Sequence, residues 1–244
     1  MSALQLEIAA NSLASALAAQ EGGADRIELC AALEVGGLTP SHALIALARE
    51  RVRIPIYVLI RARAGDFVYD DAECETMQRD IAHCIAMGCD GVVIGVLDAE
   101  GKVDVPRCRE LIAAAGKAGV TFHRALDVAR DPRAALEEII ALGCERVLTS
   151  GAQPTALAGA SLIRDLAAQA AGRIAIMAGA GVDASNIAAL RVQTGVCELH
   201  ASAKRLRPSR ARHATAASAG MDAGEWRSDA EEVRRLVAAL RAAG

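Results

Sequence analysis

Aromatic side chains are scarce in this chain, since phenylalanine, tyrosine and tryptophan together make up only 2% of its 244 residues. A core without large rings has to be assembled from aliphatic side chains, and 53% of the residues are hydrophobic. Alanine-rich segments favour helices because alanine loses no side-chain entropy in a helix. The composition therefore indicates an aliphatic core with a large helical content.

The chain also lacks a strong excess of charge, with a formal net charge of −3. This value gives no electrostatic reason to expect nucleic acid or an anionic membrane as a partner. The first twelve residues contain no basic segment and carry Glu7 inside their apolar stretch, so they do not resemble a signal peptide. No apolar run approaches the roughly 18 residues needed to span a bilayer. We therefore expect neither a nucleic-acid partner nor a membrane partner.

Paired cysteine motifs are missing as well. The chain has seven cysteines, an odd number, and none of them forms a C-x-x-C motif. This pattern argues against a disulfide framework and against a zinc finger. Reduced cysteines are typical of the cytosol, so we expect a cytoplasmic protein.

Short β-rich runs alternate with longer amphipathic runs along the chain. The alternation predicts strands at residues 4–9, 26–30, 56–60, 91–95, 120–123, 146–149, 173–178 and 197–201. Strand ends recur at gaps of about 21 to 35 residues, which is typical of βα units in an eight-stranded barrel. A dinucleotide-binding sheet would need a glycine-rich turn after the first strand, and residues 9–14 contain no glycine.

The fold class that follows is α/β, a single (β/α)₈ TIM barrel in one domain over residues 1–244. The barrel core is expected to occupy about residues 1–204. Residues 205–227 are rich in Arg, Ala, Ser and Gly without a clear period, which predicts an irregular tail. Periodicity returns at residues 229–242, where we expect a terminal helix.

The alternation of side chains along each strand predicts which residues point into the barrel. Barrel interiors are normally filled with Val, Ile and Leu. Here the inward positions collect charged and polar groups: Glu7, Arg26, Glu28, Cys30, Arg61, His123, Glu198 and His200. Buried carboxylates need cations, a metal or a ligand beside them. The pattern therefore predicts either a structural ion network or a site at the C-terminal mouth of the barrel.

The loops after the strands add polar groups to this mouth. Arg61 and Arg63 after the third strand carry guanidinium groups that suit a carboxylate or phosphate, and Asp66 follows them. The turn at residues 179–181 and Ser202 follow strands seven and eight, where barrels commonly hold phosphate with backbone N–H groups.

These positions give three groups of candidate site residues: catalytic, ligand-binding and metal-binding. The catalytic candidates are Glu7, Glu28, His123, Asp127 and His200. The candidates for binding a ligand or anion are Arg61, Arg63, Asp66, Ser150, Gly179, Gly181 and Ser202. In an enzyme, Glu7 or Glu28 would be the base and His123 the acid. Cys30 is the metal candidate, because a thiolate at the mouth suits a soft ion such as Cu(I).

Several segments resemble the copper homeostasis protein family CutC. They include GGADRIELCAALEVGGLTPS at residues 22–41, IRARAGDFVYD at 60–70, TFHRALDVARDP at 121–132 and MAGAGV at 177–182. The resemblance runs almost continuously to about Lys204 and implies a TIM barrel, a cytoplasmic location and a role in copper tolerance. It also implies copper as the cofactor, with Cys30 in the ELC motif as a ligand, and a homo-oligomer. Where the family usually reads RPRGGDF, this chain reads RARAGDF at residues 61–67.

Three functional hypotheses remain open at this point. The first is a copper-binding protein of copper homeostasis, as the resemblance implies. The second is a barrel enzyme that acts on a small anionic or phosphorylated metabolite at the mouth. The third is a scaffold whose oligomer is its function. A second sulfur ligand beside Cys30 would favour the first hypothesis, and an anion-binding pocket would favour the second.

Overall fold

The structure is a computed structural model that describes residues 3–211, 213 and 224–243. Eight parallel strands close into a barrel in which each strand pairs with its neighbour in the chain and the eighth pairs with the first. The strands are β1 (Gln5–Ala10), β2 (Arg26–Leu29), β3 (Ile56–Leu59), β4 (Gly91–Ile94), β5 (Gly119–Phe122), β6 (Arg146–Thr149), β7 (Ala175–Gly179) and β8 (Glu198–Ala201). The predicted TIM barrel is therefore confirmed.

In the described ranges, seven α-helices connect consecutive barrel strands, and an eighth follows the tail. They are α1 (Leu13–Gly22), α2 (His42–Arg51), α3 (Asp71–Ala86), α4 (Val105–Ala115), α5 (Pro132–Ala141), α6 (Ala160–Ala170), α7 (Ile187–Thr194) and α8 (Ala230–Ala242). Local sequence explains several helix starts. Asp70 and Glu73 form a capping box at α3, and Asp131 caps α5 just before Pro132.

The main core lies between the barrel and the surrounding helices. The outward-facing strand residues are fully buried there, including Ile8, Ile27, Ile56 and Phe122. The barrel interior contains a small separate apolar cluster of Cys30, Tyr57, Leu59 and Val93, and buried Leu148 and Met177 also lie there. The charged and polar groups that the alternation predicts to point inward share this interior.

Two strands in the tail were not predicted. The segments β9 (Lys204–Pro208) and β10 (Gly224–Ser228) pair antiparallel. Ser228 ties this hairpin to the barrel, because its side chain donates to the carbonyl of Ala9 and its backbone N–H donates to Ser15. Residues 212 and 214–223 of the predicted tail lie outside the described residues. The predicted terminal helix is confirmed as α8, which packs against α1.

None of the helices in the described ranges combines the length and the apolar character required to cross a bilayer.

Candidate functional site

A cavity of about 620 Å³ opens at the C-terminal ends of the barrel strands. Its volume lies in the range that suits a small metabolite. Eight of the predicted site residues line it: Glu28, Cys30, Arg61, His123, Asp127, Gly181, His200 and Ser202. The remaining five, Glu7, Arg63, Asp66, Ser150 and Gly179, do not line it.

An ion network fills the interior below this cavity. Arg26 pairs with Glu7 and, at 2.8 Å, with Glu198. Arg146 donates to the same Glu198 carboxylate at 2.9 Å, and both guanidinium groups lie about 5 Å from the ring centre of Tyr57. The inward charges of this lower layer therefore form a structural ion network, which is one of the two predicted alternatives. The candidate site lies above this layer.

Glu7 belongs to the network rather than to the cavity wall. Only 1% of its surface is exposed, and its Oε2 accepts from Arg26. Its other oxygen, Oε1, has no hydrogen-bond partner among the described residues and lies 3.8 Å from Nε2 of His200. Glu7 thus places a negative charge directly beneath His200 and does not reach a ligand in the cavity.

Glu28 and His200 form the polar pair of the cavity wall, with Oε2 and Nε2 3.0 Å apart. Burial disfavours the charge on both groups, but their hydrogen bond and mutual attraction outweigh it. The pKa of His200 is therefore raised and the pKa of Glu28 lowered. Both shifts favour the form in which the imidazole carries the proton and Glu28 is ionised.

His123 follows β5 and presents a neutral ring to the cavity. Its Nδ1 accepts the backbone N–H of Ala125 at 3.1 Å, so the ring proton lies on Nε2. Within the described residues this buried Nε2 has no partner. Burial lowers the pKa of His123 to about 4. The predicted role as a general acid therefore changes, because a neutral ring donates a hydrogen bond but has no extra proton to give at pH 7.

Arg61 carries a buried positive charge at the mouth, with 6% of its surface exposed. One terminal nitrogen donates to the carbonyls of Val35 and Gly37 at 2.8 and 2.9 Å, and the other donates to the carbonyl of Gly65 at 2.8 Å. No carboxylate in the described part of the chain pairs with it. Arg61 therefore holds two loops together and leaves its charge uncompensated beside the cavity.

Arg63 and Asp66 lie outside the mouth. The Nε of Arg63 donates to Glu73 in the first turn of α3 at 2.6 Å, and a terminal nitrogen donates to Asp66 at 2.9 Å. The Asp66 side chain is 70% exposed. The expected clamp of two arginines is therefore not assembled in this structure, because the acidic start of α3 draws Arg63 outward.

Asp127 is saturated with donors. It accepts from Arg124 Nε at 2.7 Å, from the backbone and hydroxyl of Ser150, from the Thr149 hydroxyl and from Ala152 N–H. Asp127 and Ser150 therefore hold the loops after β5 and β6 together; Asp127 also lines the cavity, whereas Ser150 does not.

Two cations of the cavity wall had no assigned role in the sequence interpretation. Arg124 lines the cavity and also donates to the Ser150 hydroxyl at 2.9 Å. Lys204 lines the rim, with its ammonium 5.1 Å from the centre of the Trp226 ring. The signal for Arg124 was its position directly after His123, where β5 ends.

The turn after β7 has an unusual backbone. Ala180 and Gly181 have φ angles of 91° and 66°, and a left-handed alanine is strained. The backbone N–H groups of Gly181 and Ser202 donate to no acceptor within the described ranges. Gly179 lies deeper, where a Cβ would come within 3.0 Å of the Cβ of His200. Backbone N–H groups without an acceptor at the mouth suit an anion.

The surroundings of Cys30 show whether the mouth is suited to binding copper. Its thiol is fully buried in the cavity wall, and burial followed by the charges of Glu28 and Glu34 raises its pKa well above the usual value. Across the described residues no three histidine, cysteine or acidic side chains converge as a metal site. One protonated thiol does not fit Cu(I), which prefers paired soft ligands.

Comparison with known proteins gives a consistent match. The model of the CutC family matches residues 4–205. A CutC protein of Xylella fastidiosa is 56% identical over 96% of this chain and 88% of its own length. One from Xanthomonas campestris is 61% identical over 82% of this chain and 83% of its own length. The crystal structure of Streptococcus agalactiae CutC, whose name associates it with copper homeostasis, is 32% identical with a TM-score of 0.78. It covers 82% of this chain and 98% of its own.

Proposed function

The chain belongs to the CutC family, and we propose that the mouth of its barrel binds a small anionic metabolite and transfers a proton on it. The observation that carries this proposal is Arg61, a buried guanidinium beside the cavity that no carboxylate neutralises within the described residues. A buried charge without a counter-charge is costly, and an anionic ligand would supply that counter-charge.

The other charges of the cavity wall support an anion. His200 is balanced by Glu28 and Arg124 by Asp127. Lys204 at the rim contacts an aromatic ring and, like Arg61, pairs with no carboxylate in the part of the chain that is described. The net charge of the wall is therefore positive, which concentrates anionic ligands at the mouth. The unused N–H groups of Gly181 and Ser202 would hold a phosphate or carboxylate there.

The acid–base groups favour proton transfer next to a carbonyl. Glu28 stays ionised and can accept a proton from the carbon beside the carbonyl group. The negative charge then develops on the carbonyl oxygen, where the Nε2–H of His123 would donate a hydrogen bond. His200 holds Glu28 in place through their ion pair. Glu28 would then return the proton to a carbon of the enolate from the same face, so the reaction class is isomerisation of a small anionic carbonyl compound.

Titration with inorganic phosphate tests the anion site by calorimetry. Ser202→Asp places a negative charge at the N–H groups of the mouth, and we expect it to weaken phosphate binding at least tenfold. The matched control is Ser161→Asp, which makes the same change on the exposed surface of α6. Equal phosphate affinities in the two variants would overturn the proposed site.

Copper handling is the second candidate, and Cys30 in the cavity wall is the observation that favours it. If the mouth binds Cu(I), Cys30→Ala should lower the affinity of the reduced protein in competition with a chelator. Unchanged affinity would remove Cys30 as a ligand. A cytoplasmic location remains part of this proposal, supported by seven cysteines that are all free thiols.

A further inference from the structure

One side of the cavity wall is apolar, although the wall as a whole carries positive charge. Leu33 and Val35 line it from the loop after β2, and Leu59 and Phe67 line it from β3 and the loop beyond. Leu33 packs against the small interior cluster that contains Cys30 and Leu59. Val35, at the rim, is 43% exposed. The apolar surface therefore continues from the barrel interior up to the rim, where it faces the open cavity.

The loop after β2 is fixed at its base and near its tip. At the base, the backbones of Ala31 and Leu38 exchange two hydrogen bonds of 2.9 and 2.8 Å. Near the tip, the carbonyls of Val35 and Gly37 accept from one terminal nitrogen of Arg61 at 2.8 and 2.9 Å. These contacts hold the apolar side chains of the loop at the cavity, so the apolar wall is preformed.

The apolar wall and the N–H groups proposed to hold the anion lie on different sides of β1. Gly181 and Ser202 follow β7 and β8, whereas Leu33 follows β2, and β1 pairs with both β2 and β8. At this point β1 contributes the small side chain of Ala9, which is in register with Glu28. A ligand with its anionic group at Ser202 can therefore place its reacting carbon near Glu28 and its far end against the apolar wall.

On the basis of the proposed function, which it makes more specific, we propose that the substrate is an anionic carbonyl compound with an apolar substituent that packs against Leu33 and Val35. Burial of apolar surface on both partners would stabilise such a complex. The cavity of about 620 Å³ has room for both parts of the ligand, since pockets of roughly 300–1,000 Å³ bury most of a drug-sized molecule. Inorganic phosphate alone would leave the apolar wall uncovered.

Two phosphate esters that differ in apolar area test this substrate class by calorimetry. Phenyl phosphate and methyl phosphate carry the same charged group, and the guanidinium of Arg61 beside the apolar wall also favours an aromatic ring. We expect the wild type to bind phenyl phosphate about tenfold more tightly than methyl phosphate, because only the phenyl ring reaches the apolar wall.

Val35→Ser removes apolar surface from the wall at an exposed position. It should weaken the binding of phenyl phosphate by about fivefold and leave the affinity for methyl phosphate unchanged. Unchanged binding of methyl phosphate also shows that the mouth of the variant is folded. The matched control is Val192→Ser, which makes the same change on α7, where Val192 is 71% exposed, and it should alter neither affinity.

The possible failures of the substrate class and of the anion site give different results. Equal affinities of the wild type for the two esters would overturn the apolar substituent and leave the anion site in place. An unchanged affinity of Val35→Ser for phenyl phosphate, or an equal loss for both esters, would overturn it as well. If neither ester nor inorganic phosphate binds to the wild type, the anion site and the substrate class that depends on it are both overturned.

Discussion

The imidazole of His200 lies 3.0 Å from the carboxylate of Glu28, although the two residues are 172 positions apart in the chain. They meet because β2 and β8 are the two neighbours of β1 in the closed barrel. The pair therefore forms only when the barrel is closed. The free energy of the interaction between Glu28 and His200 consequently contributes to the stability of the fold as well as to the site.

Replacing Glu28 with glutamine should destabilise the protein in a pH-dependent way. The raised pKa of His200 adds stability that is present below its ordinary value of 6.5 and is lost as the pH rises through the folded-state pKa. The lowered pKa of Glu28 adds stability that is present above 4.5 and is lost as the pH falls through its folded-state pKa. The cost of Glu28→Gln should therefore be largest between about pH 4.5 and 6.5, at about 1.5–3 kcal/mol.

Urea unfolding of wild type and variant across this pH range measures the difference. Glu100→Gln is the control, because Glu100 is exposed and should show no such maximum. A cost of Glu28→Gln that does not vary with pH would contradict the ion pair.

His123 should remain neutral throughout the physiological range. Burial lowers its pKa to about 4, and the hydrogen bond from Ala125 to Nδ1 keeps the proton on Nε2. Nitrogen-15 NMR of the ring should show the Nε2–H tautomer at pH 7 with no titration down to about pH 5. A midpoint near 6.5 would show that His123 can act as a general acid after all.

Gly95 should be needed to make room for the His123 ring. A Cβ at Gly95 would lie 2.3 Å from Cε1 and 2.4 Å from Nδ1 of that ring. Gly95→Ala should therefore lower the free energy of unfolding by about 1–3 kcal/mol through overpacking. The same change should cost much less in a His123→Ala background, where the ring is absent. Equal costs in the two backgrounds would show that the ring is not the obstacle.

Asp127 should matter for stability, whereas Asp66 should not. Asp127 holds Arg124, Ser150 and Thr149, so Asp127→Asn should cost about 1.5–3 kcal/mol of the free energy of unfolding. Asp66 is exposed, and Asp66→Asn should leave thermal unfolding unchanged. Similar melting temperatures for the two variants would contradict the structural role of Asp127.

The interior of the barrel could be predicted from the sequence because strand alternation is a local property. Alternation correctly predicts that Glu28 and His200 point inward. Continued just past the end of β3, it predicts the same for Arg61. Arg63 lies further beyond the end of β3, where alternation no longer determines the direction of a side chain. The Arg63 side chain is directed by its contact with Glu73 in α3, and no periodicity in the sequence links these two residues.

The roles of the predicted residues were harder to foresee than their positions. The sequence offers Asp127 as a catalytic candidate, but Ser150, which donates to it, lies in the loop after β6, and β6 lies next to β5 only in the folded barrel. The hairpin of β9 and β10 was missed because both strands are short and charged, and fifteen residues separate them.

Solvent deuterium exchange tests the central claim most directly. Small phosphorylated and carboxylated carbonyl compounds would be incubated with the protein in D₂O, and exchange at the carbon beside the carbonyl would be followed by proton NMR. We predict exchange with the wild type and a loss of at least about a hundredfold in Glu28→Gln, because Glu28 is the base. Exchange at an unchanged rate in Glu28→Gln, or none above the protein-free rate with any of the compounds, would contradict the account.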